Sequence, residues 1–286
     1  MKIKWIYFIA IILSAYIYLG QNSCCSVSKV STSFSMLSHN QKFVSSHEEP
    51  LPFTLTSPKG KNISYKTPDG KEGFGYEISS DAKNLPAGEA GNNVIFVIHE
   101  WWGLNDYVKQ EAEKISIETG NRVIALDLYD KKIATNRDSA SKFMKSVKSE
   151  RAQSIINGAI KYVGENANIA TIGWCFGGGW SMQASLLAGK QAKACIVYYG
   201  MPEDNLEKLS GLNAPVLFVF AQKDEWINKE VVSKFESNMK SAGKKLTIKS
   251  YDAEHAFANP SNPHFEKNFS EDAFNNAKKF LKENLK

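Results

Sequence analysis

A chain of 286 residues that is 43% hydrophobic and 23% charged has ordinary globular composition, which excludes a wholly disordered, collagenous or coiled-coil protein. The formal charge of +5, from 35 Lys and Arg against 30 Asp and Glu, is scattered along the chain, so nucleic acid is not an expected partner. Four cysteines, Cys24, Cys25, Cys175 and Cys195, are too few and too oddly spaced for a disulfide scaffold or a paired CxxC zinc site.

The chain opens with Lys2 and Lys4 followed by an apolar run from Trp5 to Leu19, with small residues at Ser23-Cys24-Cys25. This is the anatomy of a secretory signal peptide over residues 1–25; the run is short of the roughly 20 residues of a membrane span, and an uncleaved membrane anchor is the rival reading. A secreted or periplasmic location follows from the first reading, and contact with a membrane only from the second. Residues 26–58, rich in Ser, Thr, His, Lys and Pro without sustained apolar periodicity, are expected to form a flexible arm. From residue 59 the texture changes. Short β-like stretches, Ile63-Ser64-Tyr65 and Phe74 to Ile78, flank the turn Pro68-Asp69-Gly70.

Beyond residue 92 apolar runs alternate with helical spacing. Strands are predicted at Val94 to His99, Arg122 to Leu126, Asn168 to Gly173, Lys193 to Tyr199, Pro215 to Ala221 and Leu246 to Tyr251. Helices are predicted at Asp106 to Glu118, Ser139 to Gly164, the glycine-rich turn through Leu187, Lys229 to Ser241 and Phe265 to Leu285. Strands apolar on both faces and separated by helices make a mostly parallel sheet covered on both sides, an α/β domain over residues 59–286.

The chemistry concentrates at the strand-to-helix turn Gly173-Trp174-Cys175-Phe176-Gly177-Gly178-Gly179. The glycine spacing does not fit the dinucleotide fingerprint G-x-G-x-x-G. It fits the nucleophile elbow G-x-Nuc-x-G, with Cys175 as the nucleophile; the bland reading is a cysteine packed in a helix start. The elbow requires an acid and then a histidine downstream. Asp224 follows the strand ending at Ala221, although alone it also suits the cap of a helix near Asn228. Among the five histidines, His39 and His47 fall in the arm and His264 opens the last helix, leaving His255 or His99. A second strand-end loop, His99 to Asn105, suits an oxyanion donor, so Trp101 and Phe176 are the candidate backbone N–H groups. Glu100 either bridges to a lysine or sits beside the thiol and regulates its proton. Trp101, Trp102, Trp174, Trp180 and Trp226 around the rim suggest an apolar pocket. Cys195, inside a strand, reads as core.

The stretches Val97 to Asn105, Ala125-Leu126-Asp127-Leu128-Tyr129, Gly173 to Gly178, Tyr198-Tyr199-Gly200 and His255-Ala256-Phe257-Ala258-Asn259 together resemble the dienelactone hydrolase (carboxymethylenebutenolidase) family of α/β hydrolases, from about Gly73 to the C-terminus. The resemblance implies an α/β-hydrolase fold, a triad of Cys175, Asp224 and His255, and a Glu100 that takes the thiol proton when substrate arrives. It implies oxyanion donors at Trp101 and Phe176. The family's founding enzymes hold a substrate carboxylate with arginines, one just after the histidine; here Asn259 stands there, and Arg137 or Arg151 would have to replace it.

The expected function is therefore a cysteine-dependent hydrolase of an ester or lactone working through an acyl-enzyme, with Trp102 and Asn259 contacting substrate. A secreted binding protein that kept the fold without turnover is the alternative, and the presence of every triad member favours the enzyme. No metal or cofactor is expected, since the histidines form no i, i+4 pair and there is no CxxC. The oligomeric state is not legible.

Overall fold

Eight strands hydrogen-bond in the order β1-β2-β4-β3-β5-β6-β7-β8 in a computed structural model that describes residues 37, 39–79 and 92–285. The expected signal peptide, with Cys24 and Cys25, lies outside the described residues. β1 (Lys61–Lys66) and β2 (Glu72–Ile78) form an antiparallel hairpin around Pro68-Asp69-Gly70, and β2 runs antiparallel to β4 (Arg122–Asp127). Every later pairing is parallel: β4 with β3 (Asn93–Ile98), then β5 (Asn168–Trp174), β6 (Ala192–Tyr198), β7 (Val216–Ala221) and β8 (Leu246–Tyr251).

The central strands owe their place to composition. β7 reads Val-Leu-Phe-Val-Phe-Ala and is buried at every position, as a strand covered on both faces must be. β8 at the edge alternates Leu246 and Ile248 with exposed Thr247 and Lys249. The helices between the parallel strands are α2 (Asp106–Thr119), α3 (Arg137–Ser146), α4 (Ser149–Val163), α5 (Phe176–Ala188), α6 (Leu206–Ser210), α7 (Lys229–Ser241) and, after β8, α8 (Lys267–Asn284). α2 and α8 pack on one another, as do α4 and α5. This is the expected α/β-hydrolase architecture.

Two local expectations are corrected. The helix predicted over Ser139 to Gly164 is broken, because Val147 and Lys148 are extended. The break lets α3 bury Ala140 and Met144 while α4 buries Ala152, Ile155, Ile156 and Ala159 in a different direction. The second correction concerns the arm. α1 (Gln41–Ser46) is capped by Asn40, whose side chain accepts from the Lys42 and Phe43 amides. Its Phe43 is fully buried, edge-on to Trp226 at 5.1 Å and Trp101 at 5.9 Å. Farther along, Leu51 N–H donates to the Ser261 carbonyl at 3.1 Å, Leu55 N–H to Asp106 at 3.1 Å and Lys59 N–H to Glu113 at 2.6 Å. The described part of the arm is thus docked, because α1 buries Phe43 and Val44 and the Leu51, Leu55 and Lys59 amides find acceptors on the domain.

Candidate active site

The ends of β3, β5, β7 and β8 bring the candidate residues to one rim, where loops at the carboxyl ends of parallel strands converge. Cys175 joins β5 to α5 with φ 53° and ψ −117°, a left-handed conformation that costs a non-glycine residue on the order of 1–3 kcal/mol. The flanking glycines make the turn feasible: a Cβ on Gly173 would overlap the Gly177 carbonyl, and one on Gly177 would overlap the Ile98 carbonyl. Cys175 N–H donates to the Tyr198 carbonyl at 3.0 Å and its own carbonyl accepts from Gly178 N–H at 3.0 Å. The thiol sits at the N-terminus of α5, where the helix dipole favours a thiolate. Burial outweighs this and His255, and holds the thiol pKa above its ordinary value.

Asp224 is buried in the turn after β7. One carboxylate oxygen accepts from Trp226 N–H at 2.9 Å and Ile227 N–H at 3.0 Å; the other lies 2.5 Å from His255 Nδ1. Burial pushes its pKa up, but His255 and these hydrogen bonds prevail and hold it below the usual range. For His255 burial likewise opposes the charge, and Asp224 and Cys175 overcome it, raising the pKa well above its ordinary value. His255 Nε2 is buried and has no hydrogen-bond partner at bonding geometry, and the Cys175 thiol lies within 4.8 Å.

The alternative histidine is settled by its partners. His99 is fully buried, with Nδ1 on the Glu100 carbonyl at 2.6 Å and Nε2 accepting from Leu128 N–H at 3.1 Å. Both ring nitrogens anchor the loop and neither reaches Asp224. Cys195 is equally structural, buried 3.9 Å from Ser181 Oγ with its pKa pushed by burial to about 11.

Glu100 has no lysine partner among the described residues; its carboxylate accepts from the Asn259 amide and, at 3.4 Å, from the Tyr199 hydroxyl. Burial raises its pKa to about 7, against the pull of His255 and these two hydrogen bonds. Asn259 is held in turn, its carbonyl oxygen accepting from Ser261 N–H at 2.8 Å and Ser261 Oγ at 2.7 Å. Its amide therefore orients Glu100.

A small cleft opens beside Glu100, walled by Trp102, Val108, Trp174, Asn259 and Pro260. Trp102 and Asn259 line it, whereas Trp101 is fully buried against Phe43 and His47. No arginine lines it, and the chain's three arginines are committed elsewhere. Arg122 pairs with Glu77 at 2.5 Å, Arg137 donates to the Ser45 carbonyl at 3.0 Å, and Arg151 pairs with Asp69 at 3.1 Å and Asp130 at 2.5 Å. The idea that Arg137 or Arg151 replaces an arginine after His255 is not supported: neither lines the cavity, Arg137 is turned to the Ser45 carbonyl, and Arg151 is held between Asp69 and Asp130.

One residue here was set aside in the sequence. His47, assigned to the arm, is buried with its ring 5.3 Å from that of His255 and 4.4 Å from that of Trp101. Its Nδ1 donates to the Phe43 carbonyl at 2.7 Å. Burial, then His255, lowers its pKa to about 3, so the ring is neutral. The legible signal was Asn40 as a cap, followed by Phe43, Val44 and His47 at helical spacing.

The model of the dienelactone hydrolase family matches residues 84–285. Among curated proteins, the protein usf of Aquifex pyrophilus is 27% identical over 208 residues, covering 68% of this chain and 90% of its own. The carboxymethylenebutenolidase of Pseudomonas sp. (strain P51) is 26% identical over 199 residues, covering 63% and 80%. Among solved structures, a dienelactone hydrolase-like promiscuous phosphotriesterase from metagenomic libraries superposes with TM-score 0.66 at 16% identity, over 79% of this chain and 99% of that one. The Pyrococcus furiosus esterase Pf2001 does so with TM-score 0.59 at 14% identity, over 84% and 100%. At these identities the structural likeness carries the fold.

Proposed function

The chain belongs to the dienelactone hydrolase family and is a hydrolase acting on ester bonds, and from that premise we propose that it cleaves a small ester or lactone through a Cys175, Asp224 and His255 triad and an acyl-enzyme. The observation that carries this reading is the convergence on one buried thiol. Cys175 stands on a strained elbow, a histidine locked by Asp224 is within 4.8 Å of its sulfur, and Glu100 adds its charge to the same site.

In the resting site burial keeps the sulfur protonated. Substrate entering beside Glu100 and Trp102 meets a His255 that Asp224 holds in its charged form and an ionised Glu100, which takes the thiol proton. The thiolate attacks the carbonyl carbon, and the Trp101 and Phe176 N–H groups stabilise the oxyanion. The alcohol leaves with a proton from His255. Water, deprotonated by His255, then attacks the acyl-enzyme and frees the Cys175 thiolate, which recovers its proton from Glu100. Asp224 holds the imidazole in the tautomer both steps need. Export ahead of this chemistry, by cleavage within the first 25 or so residues, is part of the same reading.

The test is a panel of short esters, lactones and thioesters with the full chain, using Cys175→Ala as the blank. Turnover is expected to vanish in Cys175→Ala and to persist in Cys195→Ala, whose cost is in stability. Hydrolysis surviving in Cys175→Ala would end the mechanism.

A further inference from the structure

One side chain at the rim has no task in ester hydrolysis. His47 caps the C-terminus of α1, ahead of the residues the family model matches, yet a ring nitrogen of His47, a ring nitrogen of His255 and the Cys175 sulfur all lie within 4.8 Å of one another. We propose that these three side chains form a binding site for a zinc-class divalent cation, which ties α1 to the nucleophile and silences the hydrolase while it is bound.

The donor set is the first argument. One thiolate and two imidazoles suit zinc and cobalt and do not suit magnesium or calcium, which take oxygen ligands. A metal-ligating histidine almost always has its other ring nitrogen on a carboxylate or backbone carbonyl, which fixes the tautomer and aims the ligating lone pair. Both histidines meet that condition: His255 Nδ1 is 2.5 Å from Asp224 and His47 Nδ1 is 2.7 Å from the Phe43 carbonyl. Each is thereby set to present Nε2. The second argument is distance. Zinc bonds of about 2.0 Å to nitrogen and 2.3 Å to sulfur put ligand atoms in a tetrahedral site roughly 3.3–3.5 Å apart. A closure of up to about 1.5 Å by α1 and the Cys175 rotamer reaches that from the observed spacing.

On binding, the Cys175 thiol loses its proton to solvent and the sulfur donates to the cation. The fourth coordination position stays open to water. Cys175 and His255 are then withdrawn together. The cation site stands on geometry alone, whereas its inhibitory effect rests on Cys175 being the nucleophile.

Cobalt(II) titrated into the full-length protein is the direct probe. One equivalent is expected to give a thiolate-to-cobalt charge-transfer band that zinc displaces and that Cys175→Ser lacks. In the cobalt wild-type protein, NMR is expected to show two hyperfine-shifted, exchangeable imidazole N–H protons, one from each histidine. His47→Gln is expected to weaken zinc binding by at least about 10-fold. The zinc concentration that halves hydrolysis, each variant normalised to its own metal-free rate, should rise by the same factor. Absence of the band, a single shifted imidazole proton, or unchanged affinity in His47→Gln would overturn the site. A protein that binds cobalt as described but hydrolyses nothing would refute the proposed reaction and leave the cation site standing.

Discussion

Glu100 shows what one buried carboxylate does to the site and to the fold. Its pKa near 7, set by burial, means that the base form is present above about pH 7 and lost below it. The rate kcat/KM is therefore expected to rise with pH through about 7, and Glu100→Gln to flatten that limb in a stopped-flow or steady-state pH profile. Stability should move the other way. The unfolded carboxyl ionises near its ordinary 4.5, the folded one only near 7, so folding loses stability between those values, on the order of 3 kcal/mol at 1.36 kcal/mol per unit. Denaturant melts at pH 4 and pH 8 are expected to show a smaller difference in Glu100→Gln than in the wild type; an equal drop would mean Glu100 is ionised throughout. Asn259 leads to a specificity prediction at the same scale. With its amide on Glu100, with Glu111 also in the cavity wall and with no arginine there, a carboxylate beside the scissile bond finds like charge and no bidentate partner. Neutral esters are expected to exceed matched carboxylate-bearing substrates in kcat/KM by about 10- to 100-fold, as loss of a hydrogen bond to a charged group implies. A higher kcat/KM for the carboxylate series would show that another cation reaches the site.

α1 is the element that changes how the site is approached. Six residues cannot hold a helix in water on propensity, so its order rests on Phe43 among Trp101, Trp226 and His255, with the Lys42 pair to Glu225 at 2.6 Å exposed and weak. Phe43→Ala removes about 3 kcal/mol or more, which is over a hundredfold in the docking equilibrium. Alkylation of Cys175, followed by mass spectrometry, is expected to accelerate by at least about 10-fold in Phe43→Ala, with the central sheet unaffected in its thermal unfolding. An unchanged rate would show that the thiol is reached without moving α1. The elements of the sheet were legible because each carries its own signal: β7 is apolar throughout and α2 has a cap at Asn105 and a left-handed Gly120 at its end. α1 was not, since Phe43, Val44 and His47 are three residues in a polar stretch, and only the indoles from other loops make them a buried face. The break at Val147 was hidden for a similar reason, as both halves keep helical spacing and only their separate packing partners require a bend.

For the whole molecule, export remains a proposal carried by Lys2, Lys4 and the Trp5 to Leu19 run. Intact-mass measurement on protein from the native cell is expected to give a mature N-terminus between about residues 20 and 30, and a membrane-bound mass that retains the first 20 residues would establish the anchor instead. The alternation of apolar runs with helical spacing, the glycines around Cys175 and the acid-then-histidine order could be read along the chain, because backbone sterics and burial act on neighbours a few residues apart. They were enough for the fold, the elbow and the family. The family resemblance pointed to His255, where spacing alone left His255 or His99; the contacts across the fold add the physical difference, the His99 ring being spent on Glu100 and Leu128 while Asp224 meets His255. The same holds for the tie between Asn259 and Glu100, the commitment of all three arginines, and the arrival of His47 beside the thiol. Each of these joins segments tens of residues apart, so the energy that decides it, desolvation and hydrogen bonding among side chains from different elements, exists only once the sheet has brought them together.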